Sequence, residues 1–257
     1  TSEIISQTVG SANVALSEDA FQRIIKEKHD ANIMFLIQQA NVRSSELKTA
    51  KAFQEEVKAI GEAANKQITN IEISAYASPD GSLDLNQGLA EKRQDATAKV
   101  VNRNLKKDKM EANVDTKYTA EDWEGFQELV SKSNIQDKEL ILRVLSMYKE
   151  PEQREQESKN ISSVYSDLAD EILPQLRRSR LTLNYEIIGK SDEEIANLAD
   201  NNAKELSLEE LLYAATLAKD AAKKEAIYTK ATQLFPNDYR AFNNLGKLAY
   251  EAGDMDK

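Results

Sequence analysis

The chain has 257 residues, with 44 acidic and 34 basic side chains and a net charge of −10. That balance argues against generic nucleic-acid or anionic-membrane binding, which begins from a basic footprint. No cysteine is present, so disulfides, thiolate metal sites and cysteine nucleophiles are excluded. The longest apolar run, Ile33 to Ile37, is too short to span a bilayer. The first residue is Thr1 and no signal peptide is visible, so the sequence reads as a piece of a longer chain.

In chain order, residues 1–30 read as a polar lead-in segment, loosely structured over 1–20, and Phe21 to Ile25 suits either a helical turn or a strand. His29 stands between Lys28 and Asp30, a context that predicts a solvated surface residue rather than a general base. Asn32 to Val42, with Ile33-Met34-Phe35-Leu36-Ile37 at its centre, predicts a central strand buried on both faces. Ser44 or Ser45 then caps a helix whose Leu47, Ala50, Phe53, Val57 and Ile60 form one apolar stripe.

A second strand follows, in which Ile71, Ile73 and Ala75 alternate with Glu72, Ser74 and Tyr76. Pro79-Asp80-Gly81 makes a turn, and Ser82 or Asp84 caps the next helix. On that helix Asn86, Leu89 and Arg93 share one face near the N-terminal end. An arginine two turns into a helix, behind a polar turn, is a reasonable place to hold a small carboxylate-bearing ligand. Val100, Val101 and Leu105 continue the buried stripe.

Ala112 to Tyr118 predicts a third strand. Beyond it lie three helical stripes. Trp123, Phe126, Leu129 and Val130 make the first, capped by Thr119 or Asp122. Leu140, Ile141, Val144, Leu145 and Tyr148 make the second, stopped by Pro151, and Ile161, Val164, Tyr165, Leu168, Ile172 and Leu173 the third, stopped by Pro174. Aromatics at helical spacing are core by default. Leu181, Leu183, Tyr185 and Ile187 alternate in a last strand, preceded by Arg177-Arg178-Ser179-Arg180. Residues 190–204 are acidic and polar and read as a linker, with a short helix carrying Ile195 and Leu198. From Glu205 the pattern becomes paired helices.

No phosphate loop, dinucleotide fingerprint, serine elbow or metal-spaced histidine set occurs. Asp80-Gly81 with Asp84 lacks the alternating ligands of a calcium loop. Glu193-Glu194 and Glu209-Glu210 fall on helical, solvated stretches. The expectation is a non-enzymatic protein without a cofactor.

The frame Ala75-Tyr76-Ala77-Ser78, Gly81-Ser82 and Asn86-Gln87-Gly88-Leu89-Ala90-Glu91-Lys92-Arg93 resembles the OmpA-like peptidoglycan-binding domain. That family has a Gly-(Tyr/His)-Thr-Asp strand end, then Gly-Ser, then Asn-x-x-Leu-Ser-x-x-Arg, and an Arg-Arg pair before its last strand. The resemblance implies an α+β fold: a layered β-α-β-α-β domain over 31–189, helices on one face of the sheet, and a helical insertion at about 119–173 before the last strand. It implies a peptidoglycan stem-peptide site built from Tyr76, Ser78, Asp80, Asn86, Leu89, Arg93 and Arg178. The family's aspartate falls on Ser78, so Asp80 must supply the carboxylate or the site is lost. Residues 205–257 resemble tetratricopeptide (TPR) repeats: Leu211, Tyr228, Ala231 and Pro236 match a first copy of roughly 34 residues, with Leu212 in place of its usual small residue, and Phe242, Leu245, Gly246 and Gly253 match a second. Together the resemblances imply a periplasmic, outer-membrane-associated protein of a Gram-negative bacterium, holding peptidoglycan and recruiting envelope proteins through the repeats. The alternative they leave open is a scaffold that keeps the fold without the ligand.

Overall fold

A computed structural model describes residues 15–79, 81–160 and 167–253. The chain divides into two compact units, residues 25–188 and a second made of residues 1–24 with 189–257.

The first unit is mixed α+β around a four-stranded sheet of order β1-β4-β2-β3. Its strands are β1 (Ile24–Met34), β2 (Lys66–Tyr76), β3 (Val114–Thr119) and β4 (Arg178–Ile188). β3 runs parallel to β2 and β4 antiparallel to it, with Ile71 opposite Val114 on one side and Leu183 on the other. Phe35 N–H donates to Arg177 O, and Thr182 Oγ1 donates to Asp30; the opposite numbering of these pairs makes β1 and β4 antiparallel.

Alternation builds the core. Ile71, Ile73 and Ala75 are completely buried, as are Leu181 and Leu183 on β4. Helices α1 (Ser44–Glu62) and α2 (Leu83–Lys107) close over these residues with Ala50, Phe53, Val57, Ile60, Val101 and Leu105. The other sheet face is polar: Asn184 Nδ2 donates to Asn70 and to Glu72 across β4 and β2. One face packs and the other bonds.

The first strand departs from expectation. It starts at Ile24, inside the proposed lead-in, and lies at the sheet edge rather than its centre. Only Ile33 and Phe35 of the apolar run are buried; Leu36 and Ile37 are 44% and 55% exposed, in a turn that Gln38 makes with φ of 54°. An edge strand covered on one side has no use for a doubly apolar run. His29 is half-buried in β1, its ring 6.2 Å from that of Phe53, rather than fully solvated.

The insertion before β4 forms its own core from Phe126, Val130, Ile135, Ile141, Leu145, Leu168, Ile172, Leu173 and Leu176. Ile135 lies in the loop between α3 and α4, and the others come from α3 (Trp123–Lys132), α4 (Lys138–Met147), a π-helical turn (Leu168–Ile172) and α6 (Leu173–Leu176); α5 (Pro151–Asn160) lies between α4 and the turn. Neither proline acts as a stop. Pro151 opens α5, where a missing N–H is harmless. Pro174 sits in the first turn of α6, after a π turn in which Leu173 N–H reaches back to Leu168 O. Ile161, Val164 and Tyr165 lie outside the described residues.

The second unit is helical: α7 (Asp192–Asn201), α8 (Leu208–Leu217), α9 (Ala221–Leu234) and α10 (Tyr239–Glu251). Residues 190–204 do not behave as a spacer. Ser191 and Glu194 form a reciprocal cap on α7, and Ile195 and Ala199 are fully buried with Leu211, Leu212, Ala215, Tyr228, Ala231 and Ala241. Gly246 has open space where a Cβ would stand, so no described helix packs closely there.

Candidate functional site

The candidate residues gather around the carboxyl end of β2. Tyr76 ends that strand half-buried; Ala77 N–H donates to Thr119 O and Ala77 O accepts from Asp122 N–H, which holds the next residues against the start of α3. Ser78 is buried, and its Oγ accepts from Arg177 Nε at 3.3 Å. Asp80 lies outside the described residues. Ser82 is the N-cap of α2, its hydroxyl accepting from Leu85 N–H.

One face of α2 meets this strand end. Asn86, 1% exposed, donates to Gly81 O at 3.0 Å and to Glu121 at 3.3 Å. Leu89 is half-buried on the same face. Arg93 is 0% exposed, and its three nitrogens donate to Gln39 O at 2.9 Å, Tyr76 O at 2.9 Å and Leu36 O at 3.1 Å. Its guanidinium carbon stands 5.2 Å from the centre of the Phe35 ring. The role seen in these bonds is that of a clamp, tying the β1–α1 loop to the end of β2.

β4 closes the group. Arg178 lies 4.6 Å from the Tyr76 ring centre, with Arg180 at 5.9 Å. Arg178 Nη2 is 3.0 Å from Asp122 Oδ2, yet this oxygen receives no directed hydrogen bond, so charge holds the pair. Arg178 Nη1 donates to Gln175 O, and Asp122 Oδ1 caps α3 by accepting from Gly125 N–H. Both partners are nearly buried, which makes Arg178 part of the wall.

The structure places Ser78, Asn86 and Arg93 around the end of β2, with Leu89 beside them; the Tyr76 ring and Arg178 meet on the sheet face away from the core helices. It adds Arg177, Glu121 and Asp122. In the sequence Asp122 stands out only as a helix cap, and Arg178 is the expected second cation. Leu181 and Leu183 face the core, so by strand alternation Arg177 falls on their parity and Arg178 on the other. Among the described residues no group of three or more His, Cys, Asp or Glu side chains could hold a metal ion. No described helix is long and apolar enough to cross a membrane.

No family model and no curated protein matches the chain. Among solved structures it is similar to the OmpA-like domain of FopA1 from Francisella tularensis subsp. tularensis SCHU S4, at 15% identity and a TM-score of 0.34, covering 67% of this chain and 85% of that one. A likeness of that size transfers no residue roles.

Proposed function

We infer that this is a non-enzymatic cell-envelope protein that associates non-covalently with peptidoglycan through the carboxyl end of β2, and that its helical unit, read as TPR-like, recruits other envelope proteins. The observation that carries the reading is the convergence of residues from β2, α2 and β4, up to 102 positions apart (Tyr76 to Arg178), on one strand end lined with arginines. Arginine beside a tyrosine ring, as Arg178 is at Tyr76, or beside a serine hydroxyl, as Arg177 is at Ser78, is suitable chemistry for a peptide carboxylate. The motif resemblance of β2 and α2 supplies the ligand class.

The second reading, a scaffold without the ligand, is favoured by one feature. Arg93, the residue expected to grip the carboxylate, is fully buried and places three donors on backbone carbonyls. The test is retention of the whole chain on purified diaminopimelate-type peptidoglycan, beside a Tyr76→Ala variant whose circular dichroism matches wild type. Retention that the variant loses supports the wall-binding reading. Failure of the wild-type chain to be retained overturns it and leaves the scaffold.

A further inference from the structure

Residues 15–23 run along the helical unit without forming a helix or strand of their own. Side chains hold their backbone from Ala15 to Ala20, and at the far end Gly189 N–H donates to Arg23 O at 2.6 Å. Asn244, 1% exposed, makes a two-way pair with Ser17: Ser17 N–H donates to Asn244 Oδ1 at 2.8 Å, and Asn244 Nδ2 donates to Ser17 O at 3.0 Å. Asn243 donates to Ala15 O at 2.9 Å, and Ala20 N–H donates to Glu209 at 2.5 Å. The segment's far end is read by side chain. Phe21 stacks on Tyr213 with ring centres 4.4 Å apart, and the guanidinium of Arg23 lies 5.6 Å from Phe21 and 6.0 Å from Tyr213. Arg23 also pairs with Asp192, to which Tyr213 donates its hydroxyl hydrogen.

This is the chemistry of peptide capture. An amide side chain bonding both backbone groups of one residue recognises an extended chain whatever its side chain is. The aromatic and carboxylate sub-sites then ask for a ring four residues on and a cation six residues on. The segment is remote in sequence, Ser17 standing 227 positions from Asn244, and it contributes only Phe21, half-buried, to the apolar core of the unit. Leu16 stays 46% exposed.

We propose that the face made by α7, α8 and α10 is a binding site for an extended peptide carrying an aromatic residue and, two positions later, a basic one, and that residues 15–23 are its built-in occupant. A partner peptide of that chemistry engages only by displacing the chain's own segment, so the contact is autoinhibitory. The inference deepens the recruiting role assigned above to the helical unit by naming the partner's chemistry. It does not depend on peptidoglycan retention.

The probe is a fluorescein-labelled peptide of residues 15–23, followed by anisotropy against three forms of the whole chain. These are wild type, a Phe21→Ala/Arg23→Ala variant that loosens the tethered segment, and that variant with Tyr213→Ala added. The expected result is binding to the loosened variant about tenfold or more tighter than to wild type, and its loss when Tyr213 is removed. Ser17→Pro, which removes an amide held by Asn244, gives the same exposure without touching a ring. Equal binding to wild type and to the loosened variants overturns the proposal, as does no binding to a loosened variant with a wild-type helical signal. If both loosened variants lose the helical signal, the segment is a permanent part of the fold and the proposal fails. Any of these failures leaves the wall-binding test unaffected.

Discussion

Replacing Arg93 with Met measures how much of the first unit hangs on one side chain. Methionine keeps most of the volume, so the loss reports the donors rather than a cavity. Three hydrogen bonds to backbone oxygens go with the guanidinium: to Leu36, Gln39 and Tyr76. Bonds involving a charged group contribute about 1.5–3 kcal/mol each. Leu36 and Gln39 belong to an exposed turn whose carbonyls water can reach after the change, so the low end applies to them. Removing a buried charge also returns part of its desolvation cost. The balance predicts a loss of about 3 kcal/mol. The chain has a single tryptophan, Trp123, at the start of α3 in the same unit, so guanidinium unfolding followed by its fluorescence isolates this unit from the helical one. A change below about 1 kcal/mol would refute the clamp, because losses that small are ordinary for surface positions.

The helical unit should weaken in acid. The carboxyl groups of Glu209 and Asp238 are held below their ordinary range mainly by hydrogen bonds from Arg240, and that of Asp192 mainly by the Tyr213 hydroxyl and then Arg23. A depressed folded-state value means the contribution is present above the ordinary carboxylate range and is lost as pH falls through the depressed one. Helical thermal melts between about pH 6 and about pH 3 should therefore show stability falling at the acid end, and Arg240→Met should flatten that fall. An unchanged acid limb in the variant would sink the assignment. In α3, Gly125→Ala would drive a methyl group into the capping carboxylate of Asp122. A loss of about 1–3 kcal/mol is expected in the Trp123 transition, and a silent substitution would show that the cap yields freely.

Much of the fold can be read from period alone where one side of an element is dry. Ile71, Ile73 and Ala75 alternate and are all buried, and Ala50, Phe53, Val57 and Ile60 recur at helical spacing and are all buried. The readings that failed lack that contrast. Along β1 the residues from Ile24 to Lys28 are all exposed, so no alternation marks the start of the strand. Its sequence shows an apolar run only where the strand is ending. Helix α7 shows the same difficulty from the other side. Ile195 and Ala199 are its two fully buried positions, too few to outweigh its acidic residues on sequence, although they sit in the middle of a core.

The site shows a different limit. Helical spacing correctly placed Asn86, Leu89 and Arg93 on the face of α2 that looks at the end of β2, because periodicity reports direction. It does not report what waits there. A buried guanidinium needs acceptors, and sequence offers only charged candidates for that role, since carbonyl oxygens are carried by every residue and are invisible to it. The turn after Met34 brings Leu36 O and Gln39 O to Arg93 through the positive φ of Gln38, a conformation no residue type announces there. The same reasoning separates the arginines of β4. Arg178 is drawn inward by the carboxylate that caps α3, a contact set by the packing of the insertion rather than by neighbours in the chain. The clamp and ligand recognition at this strand end are thus separable, and the peptidoglycan experiment with Tyr76→Ala tests the second while keeping the backbone carbonyl that Arg93 holds.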